Sequence, residues 1–168
     1  MVGGLLFLTH TRPDLMFAVG LVSKFMQKPT KHHIGTVRRI LHYLSGTINM
    51  GIRYDHVENF QLQGFVDSDW GGSVDDRRST TGWVFNLGSG AVAWSSKRQE
   101  VIALSSTEAE YIAATSAACQ AGWMRRLLED LGAFSTHCTK EQLADVLTKA
   151  LSGPMHEHLR GRLGVMNF

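Results

Sequence analysis

The sequence is poor in the features that mark several large classes of protein. Its 168 residues include only two cysteines, which cannot form a disulfide framework and suit a reducing compartment. No apolar run approaches the ~20 residues that a membrane-spanning helix needs, so we expect no membrane partner. The first residues carry neither a basic segment nor a small-residue cleavage site, and we expect an intracellular protein, cytoplasmic or nuclear, without a signal peptide. The 43% apolar and 19% charged residues are typical of a globular chain.

Charge is distributed unevenly along the chain, although the net charge is only +2. Residues 1–53 contain seven Lys and Arg but one acid, whereas the remainder contains ten Lys and Arg and fourteen acids. This asymmetry is compatible with a phosphate-binding surface beside a cation-binding site. It is equally compatible with two amphipathic helices whose basic residues are simply solvated.

Residues 1–58 have the pattern of a helical hairpin. Apolar residues recur at spacings of three and four from Leu15 to Met26, and a second amphipathic stretch runs from Thr30 to Gly46. The residues expected to be buried are Leu15, Ala18, Val22, Phe25 and Met26 in the first helix and Ile34, Val37, Ile40, Leu41 and Leu44 in the second.

The apolar period changes to two after Phe60. Alternation up to Val66 is followed by a turn-rich segment and by two short apolar stretches, Gly82–Leu87 and Ala91–Ser95. The glycines between these stretches suit a hairpin connection that needs positive φ. The pattern predicts a three-stranded antiparallel meander.

A long helix is expected to follow the meander, from about Thr107 to Asp130. Ser105 and Glu108 have the spacing of a capping box at its start. A short strand at 134–138, a helix at 141–150 and a last helix opened by Pro154 complete the prediction. The side chains expected to be buried on the long helix are Ile112, Cys119, Trp123 and Leu127.

Three carboxylates stand out by their positions. Asp67 ends a strand, Glu110 lies in the first turns of the long helix, and Asp145 lies in the helix near the C-terminus. Converging carboxylates bind Mg²⁺ or Mn²⁺, and two such ions can activate water against a phosphodiester. Each residue also has an ordinary interpretation: a turn residue, a residue at a helix start and a solvated helix residue.

Seven short motifs occur in order over nearly the whole chain: Thr11-Arg-Pro-Asp14, Leu41-His-Tyr-Leu-Ser-Gly-Thr47, Asp67-Ser-Asp-Trp70, Arg78-Ser-Thr-Thr-Gly82, Trp94-Ser-Ser-Lys97, Ser105-Ser-Thr-Glu-Ala-Glu-Tyr111 and Gln142-Leu-Ala-Asp-Val-Leu-Thr-Lys149. Together they resemble the C-terminal end of the Pol polyprotein of copia-type LTR retrotransposons. The resemblance implies that residues 1–58 correspond to the tail of a reverse transcriptase. It implies a mixed α/β ribonuclease H domain at 59–168, which cuts the RNA strand of RNA–DNA hybrids.

The resemblance also implies roles for individual residues. Asp67, Glu110 and Asp145 correspond to catalytic carboxylates that bind Mg²⁺ or Mn²⁺. The basic residues expected to contact the phosphates of an RNA–DNA hybrid or another duplex are Arg77, Arg78, Lys97 and Arg98.

One departure from the family pattern bears directly on activity. After Gly132 the family continues with a fourth strand that carries another catalytic aspartate, and then with further helices, all of which this chain lacks. No acid lies between Asp130 and Glu141 to replace that ligand. We therefore expect a truncated ribonuclease H-like fold, at most one weakly held ion and little or no hydrolysis. The segment 134–138 is expected to fill the vacated position beside the first strand.

Three functions remain open at this point. The chain is an inactive Pol-derived ribonuclease H-like protein, a domesticated module that binds nucleic acid without cutting it, or an interaction scaffold. The rest of a Pol polyprotein is a further candidate partner.

Overall fold

The computed structural model describes residues 1–58, 60–133 and 143–167. Within these ranges the chain is mixed α/β, as predicted. None of its helices there is long and apolar enough to cross a membrane. The helices are α1 (Val2–Leu8), α2 (Met16–Ser23), α3 (Lys31–Gly46), α4 (Ser106–Asp130) and α5 (Gly153–Arg162), with 3₁₀ helices at Pro13–Leu15 and Leu143–Leu147. The strands are β1 (Met50–Ile52), β2 (Leu62–Ser68), β3 (Thr80–Leu87), β4 (Gly90–Arg98) and β5 (Val165–Asn167).

The predicted antiparallel meander is confirmed. Strands β2, β3 and β4 pair in sequence order, with Asp67 opposite Gly82 and Gly82 opposite Ser96. Gly88, at φ +69°, supplies the left-handed residue of the β3–β4 turn. The predicted strand at 134–138 lies outside the described residues.

A second, two-stranded sheet was not predicted. β1 pairs antiparallel with β5, so Met50 is opposite Asn167 and Ile52 is opposite Val165. Strands of three residues have too little alternation to be recognised. This pairing joins the end of the N-terminal helical region to the C-terminus.

Two hydrophobic clusters form the core of the part of the chain that the structure describes. One lies between the meander and residues 143–167, which we call the C-terminal segment, and includes Phe65, Val84, Ala91, Ala144, Val146, Leu147, Leu159, Leu163 and Val165. The other lies within the helical region and consists of Leu5, Leu15, Val19, Val22, Val37 and Ile40. Leu15, Val22, Val37 and Ile40 are buried as expected, whereas Met26, Ile34 and Leu41 are exposed.

The start of α4 is confirmed, but most of its predicted buried face is wrong. Ser105 Oγ caps the helix by accepting from the Glu108 N–H at 3.1 Å. Cys119 is exposed, and Trp123 and Leu127 remain 57% and 42% exposed. The buried residues are instead Ala109, Ala113, Ala117 and Met124. The three alanines let the helix approach the sheet closely.

The prediction of a helix at 141–150 also needs correction. Within the described residues 143–150 there is a 3₁₀ helix that ends at Leu147. The tighter winding places Ala144 and Leu147, three residues apart, on one face, and both are fully buried against the sheet.

A buried ion pair, Arg12–Asp14, forms hydrogen bonds with other residues of the N-terminal helical region. Arg12 donates to Asp14 from Nε at 2.9 Å and from Nη2 at 2.8 Å, and the two side chains are 4% and 0% exposed. Arg12 also donates to the Thr47 carbonyl and hydroxyl, at 3.0 and 2.8 Å. The Tyr43 hydroxyl donates to Asp14 at 2.8 Å and accepts from Arg160 of α5 at 3.0 Å.

Candidate functional site

Gly82 allows the C-terminal segment to reach Asp67, which lies opposite it across β2 and β3. A Cβ at Gly82 would lie 2.6 Å from Thr148 Cγ2 and 2.8 Å from Leu147 Cβ, closer than real contacts permit. Ser96 of β4 donates to the Leu147 carbonyl at 2.5 Å. The 3₁₀ helix at Leu143–Leu147 therefore packs directly on the strands beside Asp67.

Asp67 and Asp145 meet around one lysine. Lys149 Nζ lies 3.1 Å from Asp145 Oδ1 and 3.6 Å from Asp67 Oδ2. The buried Thr148 hydroxyl donates to the same Asp67 oxygen. The side chains of Asp67, Asp145 and Lys149 are 13%, 26% and 46% exposed, so this acid–lysine cluster is open to solvent on one side.

The two carboxylates stabilise the charged form of Lys149. Partial burial lowers the pKa of Lys149, but the hydrogen bond to Asp145 and the negative charges of Asp67 and Asp145 outweigh it, and the pKa is raised overall. The ammonium is therefore positive throughout the physiological range. It reduces the repulsion between the carboxylates on either side of it.

Asp69 has a different role at the end of β2. Its carboxylate accepts from the Thr80 N–H, and its own N–H donates to the Thr80 carbonyl at 3.2 Å. Burial raises the pKa of Asp69 and the charge of Asp67 adds to this, although the Thr80 N–H and the charges of Lys24 and Lys149 oppose it. Asp69 thus extends the β2–β3 pairing beyond the strand end.

Glu110 is not part of the acid–lysine cluster. Gln99 Nε2 fixes α4 to the sheet by contacting Ser68 Oγ at 3.2 Å, Thr81 Oγ1 at 3.0 Å and the Ala109 carbonyl at 3.0 Å. Glu110 follows this fixed point directly, but its side chain is exposed. The structure therefore brings Asp67 and Asp145 together around Lys149, whereas the side chain of Glu110 is exposed.

The residues present do not fit the two-metal centre that the resemblance implies. Nowhere in 1–58, 60–133 and 143–167 are three His, Cys, Asp or Glu side chains grouped so that they could hold a metal ion. A lysine ammonium occupies the place between Asp67 and Asp145. The catalytic and metal-binding roles of Asp67, Glu110 and Asp145 stay predictions.

A groove of about 430 Å³ lies between α2 and β4. We call it the basic groove because four cations line it: Lys24, Arg78, Lys97 and Arg98. Leu6, Met16, Phe17 and Leu21 contribute apolar lining. Three of the four predicted phosphate-contacting residues thus share one groove. Arg77, at φ +56°, is not among the lining residues and lies over Gly71 instead.

The cations of the basic groove are only partly neutralised. Asp76 Oδ2 lies 2.5 Å from Arg98 Nη1 and 3.7 Å from Arg78 Nε, so one carboxylate is shared by two guanidinium groups. Lys97 Nζ lies 3.5 Å from Glu100 Oε1 in an exposed pair. The groove therefore keeps a surplus of positive charge.

The pKa of Lys24 is lowered in the basic groove. Burial lowers the pKa of Lys24 and the charge of Arg98 lowers it further, against the opposing charges of Asp76 and Asp69. A partly desolvated ammonium near another cation is stabilised by a ligand that brings negative charge.

The patterns in the sequence do not single out Lys149, Gln99 or Lys24. Lys149 does carry a usable signal, because it follows Asp145 by four residues, the spacing of a helical ion pair. Gln99 has no such signal, since a buried polar residue that links two strands to a helix follows no period.

Comparison with known proteins relates the chain to retrotransposon Pol polyproteins. It is 37% identical over 163 residues to the retrovirus-related Pol polyprotein from transposon TNT 1-94 of Nicotiana tabacum. It is 42% identical over 132 residues to the corresponding polyprotein from transposon RE1 of Arabidopsis thaliana. These matches support a retrotransposon Pol-derived protein.

The extent of the match differs between relatives. The Pol-derived chain is matched over 94% and 79% of its own length but spans 12% and 9% of those two polyproteins. It is also 43% identical over 124 residues to the secreted RxLR effector protein 161 of Plasmopara viticola, 87% of which it covers. No family profile and no solved structure matches it.

Proposed function

We propose that this Pol-derived chain is a copia-type ribonuclease H-like protein that binds RNA–DNA hybrid, or another nucleic-acid duplex, without cutting it at an appreciable rate. In this proposal residues 1–58 are the tail of a reverse transcriptase and residues 59–168 the ribonuclease H-like part. Recognition depends on backbone charge and duplex shape rather than on base sequence. The rest of a Pol polyprotein is a further proposed partner.

The observation that supports binding is the convergence of Lys24, Arg78, Lys97 and Arg98 on the basic groove. Arg and Lys make charge-assisted hydrogen bonds to phosphate oxygens, and Arg can do so in a bidentate manner. Desolvation and the charge of Arg98 lower the pKa of Lys24, and a phosphate in the groove would oppose both effects by stabilising the ammonium. It would also contact the guanidinium groups that now share the single carboxylate of Asp76.

The absence of efficient cleavage is supported by the acid–lysine cluster. Two-metal hydrolysis needs several oxygen ligands that converge on a pair of ions. Here Asp67 and Asp145 are paired with Lys149, and Glu110 is exposed at the start of α4.

The proposal is tested by titrating the protein with RNA–DNA hybrid in EDTA at several salt concentrations. Four phosphate contacts predict that log affinity falls against log salt with a slope of about −3 to −4. The double variant Lys97→Ala/Arg98→Ala is expected to lessen that slope by about 2 and to weaken binding for all sequences alike.

The matched control is Arg125→Ala/Arg126→Ala, which removes two basic residues from the exposed surface of α4, outside the basic groove. We expect its affinity to remain close to that of the unaltered protein. An equal loss in both double variants would mean that diffuse charge, not the basic groove, binds the duplex.

Residual hydrolysis is a second candidate function, because Asp67 and Asp145 come from distant parts of the chain and both lie within 4 Å of the same Lys149 nitrogen. A hybrid-cleavage assay with Mg²⁺ or Mn²⁺ tests it. Cleavage that Asp67→Asn abolishes would make the chain a nuclease. Neither cleavage nor duplex binding would leave the scaffold function.

A further inference from the structure

The cation between Asp67 and Asp145 belongs to the protein itself. We propose that the Lys149 ammonium is the permanent counter-ion of this carboxylate pair, and that it takes the place a divalent metal would need there. While Lys149 is present, the acid–lysine cluster binds no metal ion.

The ammonium group and a bridging metal ion would need the same space. The ammonium nitrogen lies 3.1 Å from Asp145 Oδ1 and 3.6 Å from Asp67 Oδ2. Mg²⁺ requires oxygen ligands at about 2.0–2.1 Å in near-octahedral geometry. An ion that bridged the same two oxygens would have to occupy the volume now held by the ammonium group. Lysine and metal therefore exclude one another at this position.

The Asp67 oxygen that faces Lys149, Oδ2, already accepts a hydrogen bond from the protein. Thr148 donates its buried hydroxyl to Asp67 Oδ2, the atom that also faces Lys149. Gly82 keeps Thr148 close to β2, because a side chain at that position would push the C-terminal segment away. Metal binding would have to compete with a hydrogen bond that the backbone packing maintains.

The covalent attachment of the ammonium to the chain also favours Lys149 over a free metal ion. Lys149 is four residues from Asp145, and its ammonium is supplied by the same segment as one of the carboxylates. A group held by a short tether competes with an effective concentration on the order of millimolar or higher. Removing the ammonium would leave the two carboxylates without it, and their repulsion would then favour a divalent ion.

The test is a titration of the full chain with Mn²⁺, followed by electron paramagnetic resonance of the free ion, without nucleic acid. We expect no saturable site in the unaltered protein. Lys149→Met and Lys149→Gln should each gain one site, at least tenfold tighter than any binding by the unaltered chain. Adding Asp67→Asn to either variant should remove the gain.

Two controls separate this effect from a general loss of positive charge. Lys97→Met removes an exposed lysine paired with Glu100 and should gain no site. Lys149→Arg retains the cation and should also gain none. Circular dichroism checks folding, and Mn²⁺ should raise the melting temperature of the neutral Lys149 variants but not of the unaltered chain.

Two results would overturn the proposal. One is a saturable site in the unaltered protein that Asp67→Asn removes, because the ammonium would then coexist with the metal or yield to it. The other is a folded Lys149→Gln variant that gains no site. Because the titration contains no nucleic acid, its outcome is separate from that of the duplex-binding experiment.

Discussion

The Arg12–Asp14 pair and the acid–lysine cluster use the same kinds of charge in opposite surroundings. Arg12 and Asp14 are sealed from water, and their polar atoms are matched by one another and by Thr47 and Tyr43. Lys149 is half exposed and joins two carboxylates that are themselves partly exposed.

This difference in burial determines how much stability is lost when one charged partner is removed. A buried pair cannot lose one partner without leaving a charge in a medium of low dielectric. A solvent-facing cluster loses less stability when one partner is removed, because water screens each charge. The first is a structural link, whereas the second contributes little to the free energy of unfolding.

The largest expected effect is that of Asp14→Ala. It leaves the buried Arg12 guanidinium without its carboxylate and should lower the free energy of unfolding by about 3–5 kcal/mol, measured in urea. Asp55→Ala is the control, since the Arg53–Asp55 pair is 54% and 55% exposed. That control should cost less than about 1 kcal/mol. Equal losses in the two variants would refute the contrast between buried and exposed pairs.

Gly82→Ala should have the next largest effect. Its Cβ would collide with Thr148 and Leu147, so we expect a loss of about 1–3 kcal/mol in the free energy of unfolding. Gly161→Ala is the matched control, because a Cβ at that position in α5 meets nothing within 4 Å. This control should be neutral or slightly stabilising. A neutral Gly82→Ala would mean that the C-terminal segment does not depend on close approach to β3.

Lys149→Met should change stability less than either of these. The ion pairs are open to solvent, so the loss should stay below about 1 kcal/mol and shrink as salt is added. Urea unfolding at low and high salt measures it. A loss comparable with that of Asp14→Ala would place the acid–lysine cluster among the structural links.

The smallest expected effect is a pH dependence at Tyr43. Burial raises the pKa of Tyr43, and the hydrogen bond from Arg160 reduces that rise without cancelling it. The folded state therefore favours the neutral phenol. Its contribution is complete below the unfolded pKa of about 10 and is lost as pH rises through the higher folded pKa. Unfolding midpoints between about pH 9 and 11 should fall less steeply in Tyr43→Phe than in the unaltered chain.

The sequence predicted those elements whose signals are local. Ser105 and Glu108 indicate the start of α4 through capping chemistry, and the glycines after Leu87 indicate the hairpin. It did not predict which face of α4 is buried. Two rows of apolar residues compete on that helix, and the alanines lie inside because the sheet approaches too closely for Trp123.

The candidate site was likewise predictable only in part. Motifs in the sequence were sufficient to single out Asp67, Glu110 and Asp145 as a set worth testing. Their separation into a lysine-held pair and an exposed third residue depends on the way Gly82, Thr148 and Gln99 pack. Those contacts join residues far apart along the chain, so no spacing in the sequence reports them.

By itself, the sequence determined the resemblance to retrotransposon Pol polyproteins, the meander and the long helix, and it predicted three carboxylates as candidate site residues. Only the tertiary structure decided that two distant aspartates share an intramolecular cation and that four basic residues from separate segments line one groove. The physical reason is range: capping, turn conformation and periodicity act between neighbouring residues, whereas electrostatics and steric fit act between whatever groups the fold brings together.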